Sequence, residues 1–317
     1  MGGRAVQARV HPILRRLLMS KRTLAMKREE RSFWIFIAPW FIGFICFTGG
    51  PILISLLLSF TEYNVISSPK FTGISNYLLL FKDRLFYKSL SVTLYYTVLA
   101  VPFTILTSLV IAVLLNHRIK GQSLLRTLYY APSIVSGVAV SFLWSWLLNP
   151  QFGVVNSVLY DWFGIQGPGW FTSSGTVVPS MVLMQLTASG STMVIFLAAL
   201  QSLPADLYEA ASMEGASGFT KFRKITVPLI SPVILFNTII GMIGALQIFT
   251  EAYVITKGGP DWNSYFYVYY LFDTAFKQFR MGYASAQAWI LFLLIFALTL
   301  VSLRGSKKYV HYEYDSK

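Results

Sequence analysis

Glu209-Ala210-Ala211-Ser212-Met213-Glu214-Gly215-Ala216-Ser217-Gly218-Phe219-Thr220-Lys221-Phe222-Arg223-Lys224-Ile225-Thr226-Val227-Pro228 is a short polar stretch between two long apolar runs. Its residues predict a helix, a turn and a second helix over 204–228. Pro204 and Asp206 suit a helix start, where a missing N–H costs nothing and negative charge meets the positive dipole end. Leu207, Ala210, Ala211 and Glu214 fall on one face at helical spacing. Gly215 can take positive φ and end the first helix. Phe219, Phe222 and Ile225 then recur every three residues, and Pro228 opens the next apolar run. The small pair Ala210-Ala211 admits close approach by another protein, with Phe219 and Phe222 as anchors. A short interfacial hairpin without a partner has the same spacing, so the surroundings must decide.

Those surroundings are apolar. Of 317 residues, 55% are hydrophobic and 12% charged, with mean hydropathy +0.58. Soluble domains carry about 25% charged residues, so this chain belongs to the membrane class. Six windows hold no Asp, Glu, Lys or Arg: 33–60, 89–116, 127–148, 176–203, 229–250 and 284–303. Each reaches the roughly 20 residues that a helix needs to cross a bilayer. The predicted architecture is all-α: a six-span domain over 33–304, flanked by tails 1–32 and 305–317. The first five windows contain proline, which membrane helices tolerate when neighbours satisfy the freed backbone. The sixth has neither proline nor glycine and is expected to be the most regular.

Nineteen of the 26 Lys and Arg residues fall in 1–32, 117–126, 204–228 and the C-terminal tail. The positive-inside rule therefore places both termini and the 204–228 loop in the cytoplasm. The tail 1–32 is no secretory signal, because its apolar patch around Ile13, Leu14, Leu17 and Leu18 is broken by Arg15 and Arg16. It reads either as a basic amphipathic helix on the inner leaflet or as a disordered basic tail.

Topology accounts for the net charge of +13, and no nucleic-acid partner is implied. A single cysteine, Cys46, forms no internal disulfide, and His11, His117 and His311 lack metal-ligand spacing. The charge-free spans supply no catalytic constellation and no coupling-ion series. That disfavours a membrane enzyme and a stand-alone secondary transporter or channel. No phosphate-binding Gly-x-x-x-x-Gly-Lys-Ser/Thr loop is present.

Glu209-Ala210-Ala211…Gly215…Ile225-Thr226-Val227-Pro228 resembles the EAA motif of membrane subunits of bacterial ATP-binding-cassette (ABC) importers, with valine at 227 where leucine is commoner. Four further segments are similar to that family, in order: Phe71-Thr72-Gly73-Ile74-Ser75-Asn76-Tyr77, Arg126-Thr127-Leu128-Tyr129-Tyr130-Ala131-Pro132, Gly258-Gly259-Pro260 and Met281-Gly282-Tyr283-Ala284-Ser285-Ala286. Together they cover roughly 33–304 and point to the carbohydrate-uptake branch, the maltose-transporter-like permeases. The resemblance implies a type I ABC importer fold in a bacterial cytoplasmic membrane, working by alternating access. It implies as partners an ABC ATPase dimer that binds ATP and Mg, a second homologous permease subunit, an extracellular solute-binding protein and a sugar, with an oligosaccharide expected in this branch. On it, Glu209, Ala210, Ala211, Gly215, Phe219, Phe222, Ile225 and Pro228 become ATPase-coupling residues, and Gly258, Gly259 and Pro260 a binding-protein contact or gate. A sugar site is implied midway through the membrane on spans four and five. Counting from Glu209 places it at Thr187, Ala188 and Ser191 upstream and at Gly241, Gly244, Ala245 and Ile248 downstream.

Helical spacing suggests more. At about 100° per residue, Asn237, Gly241, Gly244, Gln247, Ile248 and Glu251 share one stripe, a glycine-floored groove with three polar side chains. Glu251 faces either a water-filled cavity or the headgroups. Asn237 and Gln247 suit a hydroxyl-rich ligand or bonds between helices. Gln185, Thr187 and Ser191 on span four are expected to complete the pocket. A weakly charged groove favours a neutral saccharide, while Lys277 and Arg280 near the outer mouth leave acidic sugars open. The turn-rich segment from Gly258 and the aromatic run Tyr265–Phe272 after it read either as a surface helix or, as the resemblance implies, as a binding-protein contact and gate near the cavity mouth.

Overall fold

The computed structural model describes residues 12–117 and 119–306. Expectations for residues 1–11, for Arg118 and for 307–317 lie outside them, as do the side chains of 12–25. The chain divides into two units, one ending at Leu57 and the other beginning at Leu58. The first contains α1 (Pro12–Phe44), a π turn over Ile45–Gly49 and most of α2 (Gly50–Ser59). Met26–Ser59 is long and apolar enough to cross a membrane. Phe36 and Phe47 on it are exposed, as lipid-facing side chains are. The amphipathic reading of the basic tail rests on side chains outside the described residues.

The second unit opens with a small hairpin of β1 (Thr61–Glu62) and β2 (Lys70–Phe71), antiparallel with Thr61 opposite Phe71. After α3 (Ser75–Leu80) comes α4 (Arg84–Asn116), unbroken despite Pro102. Its buried residues, among them Thr93, Tyr96, Ala100, Ser108, Ala112 and Leu115, recur at three to four positions, the signature of a helix with one packed stripe. This stripe meets the helices of spans four and five. The last span, α15 (Met281–Ser306), is also continuous, as its sequence predicts.

The other three windows are broken. Span three is α5 (Gln122–Tyr130) with a 3-10 turn to Ile134, then α6 (Gly137–Leu147), bent by 102°. The outer helix α7 (Val154–Phe163) follows it. Span four is α8 (Val177–Thr187) and α9 (Gly190–Gln201), bent by 49°. Span five joins a helical segment over Gly218–Leu229 to one over Ser231–Leu246 with a 66° bend.

Two of the breaks have their backbone groups satisfied locally. Pro232 has no N–H to offer the Pro228 carbonyl, and Ser231 Oγ donates to that oxygen instead at 2.6 Å. At the span-four break, Ser108 Oγ on α4 donates to the Ser189 carbonyl at 3.2 Å, and the hydroxyls of Tyr129 and Ser189 lie 2.9 Å apart. A Cβ on Gly190 would fall 2.6 Å from the Tyr129 carbonyl oxygen, so only glycine lets α5 press on this break.

The aromatic run is not a surface helix. α14 (Tyr267–Phe272) is driven into the unit: Phe266 and Tyr267 are fully buried. Tyr267 N–H donates to Thr93 Oγ1 on α4 at 2.9 Å, and its hydroxyl donates to the Gln287 carbonyl on α15 at 2.8 Å. Rings this large exclude water better than any other side chain, which outweighs the polarity of their hydroxyls once those find partners.

Asp83 knots the same end together. It caps α4, accepting from Leu85 N–H at 2.8 Å, and also accepts from the hydroxyls of Tyr270 and Tyr283. Burial alone would raise its pKa, but these bonds hold the carboxyl below its ordinary value. A depressed folded-state pKa gives stability that is present above the unfolded value and lost as pH falls through the folded one. Asp83→Ala is therefore expected to lower stability by about 2–4 kcal/mol at neutral pH, from the lost cap and two stranded hydroxyls. The deficit relative to wild type should shrink toward strongly acidic pH, which thermal unfolding of purified protein at several pH values will measure.

Candidate functional site

Midway along α4 a cavity of about 400 Å³ opens between α4, span four and α13 (Ser231–Leu246). That is within the range of small-molecule sites. The whole predicted stripe lines it: Asn237, Gly241, Gly244, Gln247, Ile248 and Glu251. Gly241 and Gly244 leave room where larger side chains would fill the space. Asn237 is nearly buried and its amide donates to the Val233 carbonyl at 3.0 Å, within its own helix, not across to another. Gln247 ends α13 and is exposed to the cavity.

Span four contributes differently from expectation. Gln185 lines the cavity, whereas Thr187 and Ser191 do not, and Thr192 takes their place. Thr187 donates to the Met184 carbonyl of its own helix at 2.7 Å, and Ser191 is exposed elsewhere. Gln185 and Thr192 are seven residues apart, two helical turns on one face, whereas Thr187 lies about 200° round from Gln185 and so points away from the cavity. Sequence reading also missed the α4 wall, Tyr96, Ala100, Val101, Thr104 and Ile105, together with Phe249 and Thr250. No local signal marks these α4 residues, because only packing shows which face of that apolar helix meets α13. Thr104 Oγ1 is buried and has no hydrogen-bond partner.

At the far end of α4 lies the 204–228 hairpin. α10 (Ala205–Met213) starts after Pro204 with Asp206 in its first turn. Gly215 closes it at φ +75°, with Ala216 N–H donating to the Ala211 carbonyl at 2.9 Å. Ser217 caps α11 (Gly218–Lys221), accepting from Thr220 N–H. A π turn over Phe222–Thr226 and α12 (Val227–Leu229) lead to the bend at Ile230. The two arms are tied by Tyr208 and Thr226 hydroxyls 2.8 Å apart and by Lys221 Nζ donating to Ser212 Oγ at 2.7 Å.

The predicted coupling residues divide between two faces. Glu209, Ala210, Gly215 and Phe219 are exposed; Phe219 is 72% accessible. Ala211, Ile225 and Pro228 are half-buried. Phe222 is half-buried: it packs against the apolar cluster that includes Leu115 and Leu200, and it also lines a groove shared with Glu209, Ser212 and Lys221. The π turn explains the difference, since a strict three-residue period does not hold through it. Met213, 90% exposed beside the turn, was missed. An unbranched apolar residue two positions before a helix-ending glycine was the available signal.

At the opposite end, Gly258-Gly259-Pro260 is packed down. Gly258 is buried at φ +88°, and a Cβ there would lie 2.6 Å from the Tyr265 ring. The exposed residues of this segment are Asp261 and Trp262, and Asp261 accepts from Ser174 Oγ at 2.6 Å.

The sequence profile of the family described as "Binding-protein-dependent transport system inner membrane component" matches residues 81–310. The chain is 39% identical over 298 residues, 92% of its own length and 96% of the relative's, to the "Probable ABC transporter permease protein YesP" of Bacillus subtilis (strain 168). It is 32% identical to the "Lactose transport system permease protein LacF" of Rhizobium radiobacter, over 87% of this chain and 94% of that one. A chain from a bacterial ABC transporter involved in the import of the acidic polysaccharide alginate has the same fold, with TM-score 0.80 at 23% identity, over 90% of this chain and 99% of that one.

Proposed function

Because this chain belongs to the binding-protein-dependent transport system inner membrane component family, we propose that it forms one side of a saccharide pathway driven through the 204–228 hairpin. The observation that carries this reading is the juxtaposition on span five. One bent helix runs from the exposed hairpin at one end to a polar cavity midway along the unit. Relatives named for lactose, multiple-sugar and arabinooligosaccharide transport support a sugar as the cargo.

The hairpin supplies a docking surface for an ABC ATPase, which holds the ATP and Mg; Met213 and Phe219 offer apolar anchors and Glu209 a charge. A second permease subunit completes the cavity, which α4, span four and α13 wall on one side only. A binding protein delivers substrate at the Asp83 end. Both termini and the hairpin then lie on the cytoplasmic side, in keeping with the positive-inside rule.

Gln247→Ala and Glu251→Ala are expected to lower uptake of oligosaccharide into proteoliposomes about tenfold each, as loss of a bond to a charged or polar partner does. ATPase co-purification should persist. Unchanged uptake by both variants would remove these side chains from the pathway, and failure to co-purify any ATPase would remove the hairpin reading.

A further inference from the structure

We infer that the cavity selects by charge: Glu251 and the amides around it admit uncharged, hydroxyl-rich saccharides and reject those bearing a carboxylate or phosphate. The inference rests on the saccharide reading above and names the substrate class for the same cavity.

The lining holds one ionisable acid, Glu251, and no lysine, arginine or histidine. Its other polar members are amides and hydroxyls, including Gln185, Gln247 and the unpartnered Thr104. The two cations that left acidic sugars open are engaged elsewhere. Lys277 Nζ lies 2.6 Å from Asp273 Oδ1 and sits over the ring of Tyr269 at 5.2 Å. The Arg280 guanidinium lies over the Tyr283 ring at 4.5 Å. Lys88 donates to Asn263 at 2.7 Å. Among the described residues, Glu251 has no ionic partner.

An ionised carboxylate only accepts hydrogen bonds. Two adjacent sugar hydroxyls can donate to its two oxygens, while Gln185 and Gln247 donate to and accept from others. A second anion in the same space meets an uncompensated like charge that a narrow cavity screens poorly. At an effective dielectric typical of a protein boundary, contact-distance repulsion disfavours it on the order of a hundredfold or more. The alginate importer shares this fold and is described as handling an acidic polysaccharide. The fold therefore sets no charge preference, and the cavity side chains must.

The test uses the full complex in nanodiscs, without binding protein or nucleotide. Proteoliposome uptake first identifies a neutral oligosaccharide that the wild type carries; finding none defeats the saccharide reading itself. Saturation-transfer difference NMR then compares that sugar with its aldonic acid, which adds one carboxylate at the reducing end. The wild type should bind the neutral sugar at least tenfold more tightly than the acid. Glu251→Gln, matched in shape, should bring the two within about twofold, and Glu251→Asp should keep the discrimination. Co-purification of the partner subunits confirms that each variant is assembled. Equal binding of acid and neutral sugar by the wild type overturns the inference, as does an unaltered ratio in Glu251→Gln. Absence of a neutral-sugar signal in a wild-type complex that transports that sugar also overturns it.

Discussion

Gly215→Val should reduce ATP-driven uptake at least about tenfold while leaving the membrane helices folded. Gly215 sits at φ +75°, where a β-branched residue is strongly disfavoured. Left-handed backbone costs an ordinary L-residue roughly 1–2 kcal/mol, and about 1.4 kcal/mol is tenfold in an equilibrium. No neighbour lies within 4 Å of a Cβ built there, so the penalty is purely conformational. Relief requires the turn to open, which breaks the Ala216 to Ala211 bond and displaces the exposed Met213 and Phe219 on either side of it. Gly215→Asn is the informative partner, since asparagine visits this region more readily, and it should recover most of the uptake. Glu209→Lys reverses an exposed charge nearly two turns earlier and should weaken ATPase retention without strain. Uptake and ATP hydrolysis in proteoliposomes measure both. Full transport by Gly215→Val would show that the turn geometry does not matter for coupling.

Gly282→Ala should have the largest effect on folding, about 3 kcal/mol or more. A Cβ there would stand 2.0 Å from the Thr61 carbonyl oxygen and 3.2 Å from that of Leu58. Both are backbone atoms, so no rotamer change relieves the clash. Gly282 N–H also donates to the Tyr63 carbonyl at 3.1 Å, and its neighbour Tyr283 donates to Asp83. Moving α15 outward disturbs all of these at once. Gly305→Ala, on the same helix with open space around it, should be neutral. Thermal unfolding of the detergent-purified variants compares the two glycines directly.

The Met281–Ala286 segment was recognisable by family likeness, yet the reason for its glycine was not legible before the β1 turn was seen against it. The same division runs through the molecule. Long charge-free windows exposed the spans because bilayer thickness imposes a length on them. They did not expose the breaks in three of those spans, since proline occurs in the unbroken α4 as well. Asn237, Gly241 and Gly244 were legible because α13 keeps one phase from Ser231 to Leu246, while Gln247, Ile248 and Glu251 lie beyond its end and still line the cavity. Thr187 was misplaced because it lies about 200° round the helix from Gln185, and Ser191 because it stands one position short of the cavity-facing Thr192. Tyr96 and Thr104 lie on another helix, and only tertiary packing brings them to the cavity. Asp83 could have been found, as an aspartate just before a long apolar run is a capping signal, but its two tyrosine partners are nearly 200 positions away.

A straight rod would carry a shove from the hairpin along its own axis. The 66° elbow at Ile230 would instead deliver it to the upper arm obliquely, as a sideways sweep. Ser231, tethered to the Pro228 oxygen, helps the elbow keep its angle. The upper arm is about 24 Å long at 1.5 Å per residue, so a tilt of ~10° at the pivot carries its tip about 4 Å. Gln247 sits at that tip with Glu251 just beyond, so the polar groups of the cavity lie where leverage is greatest.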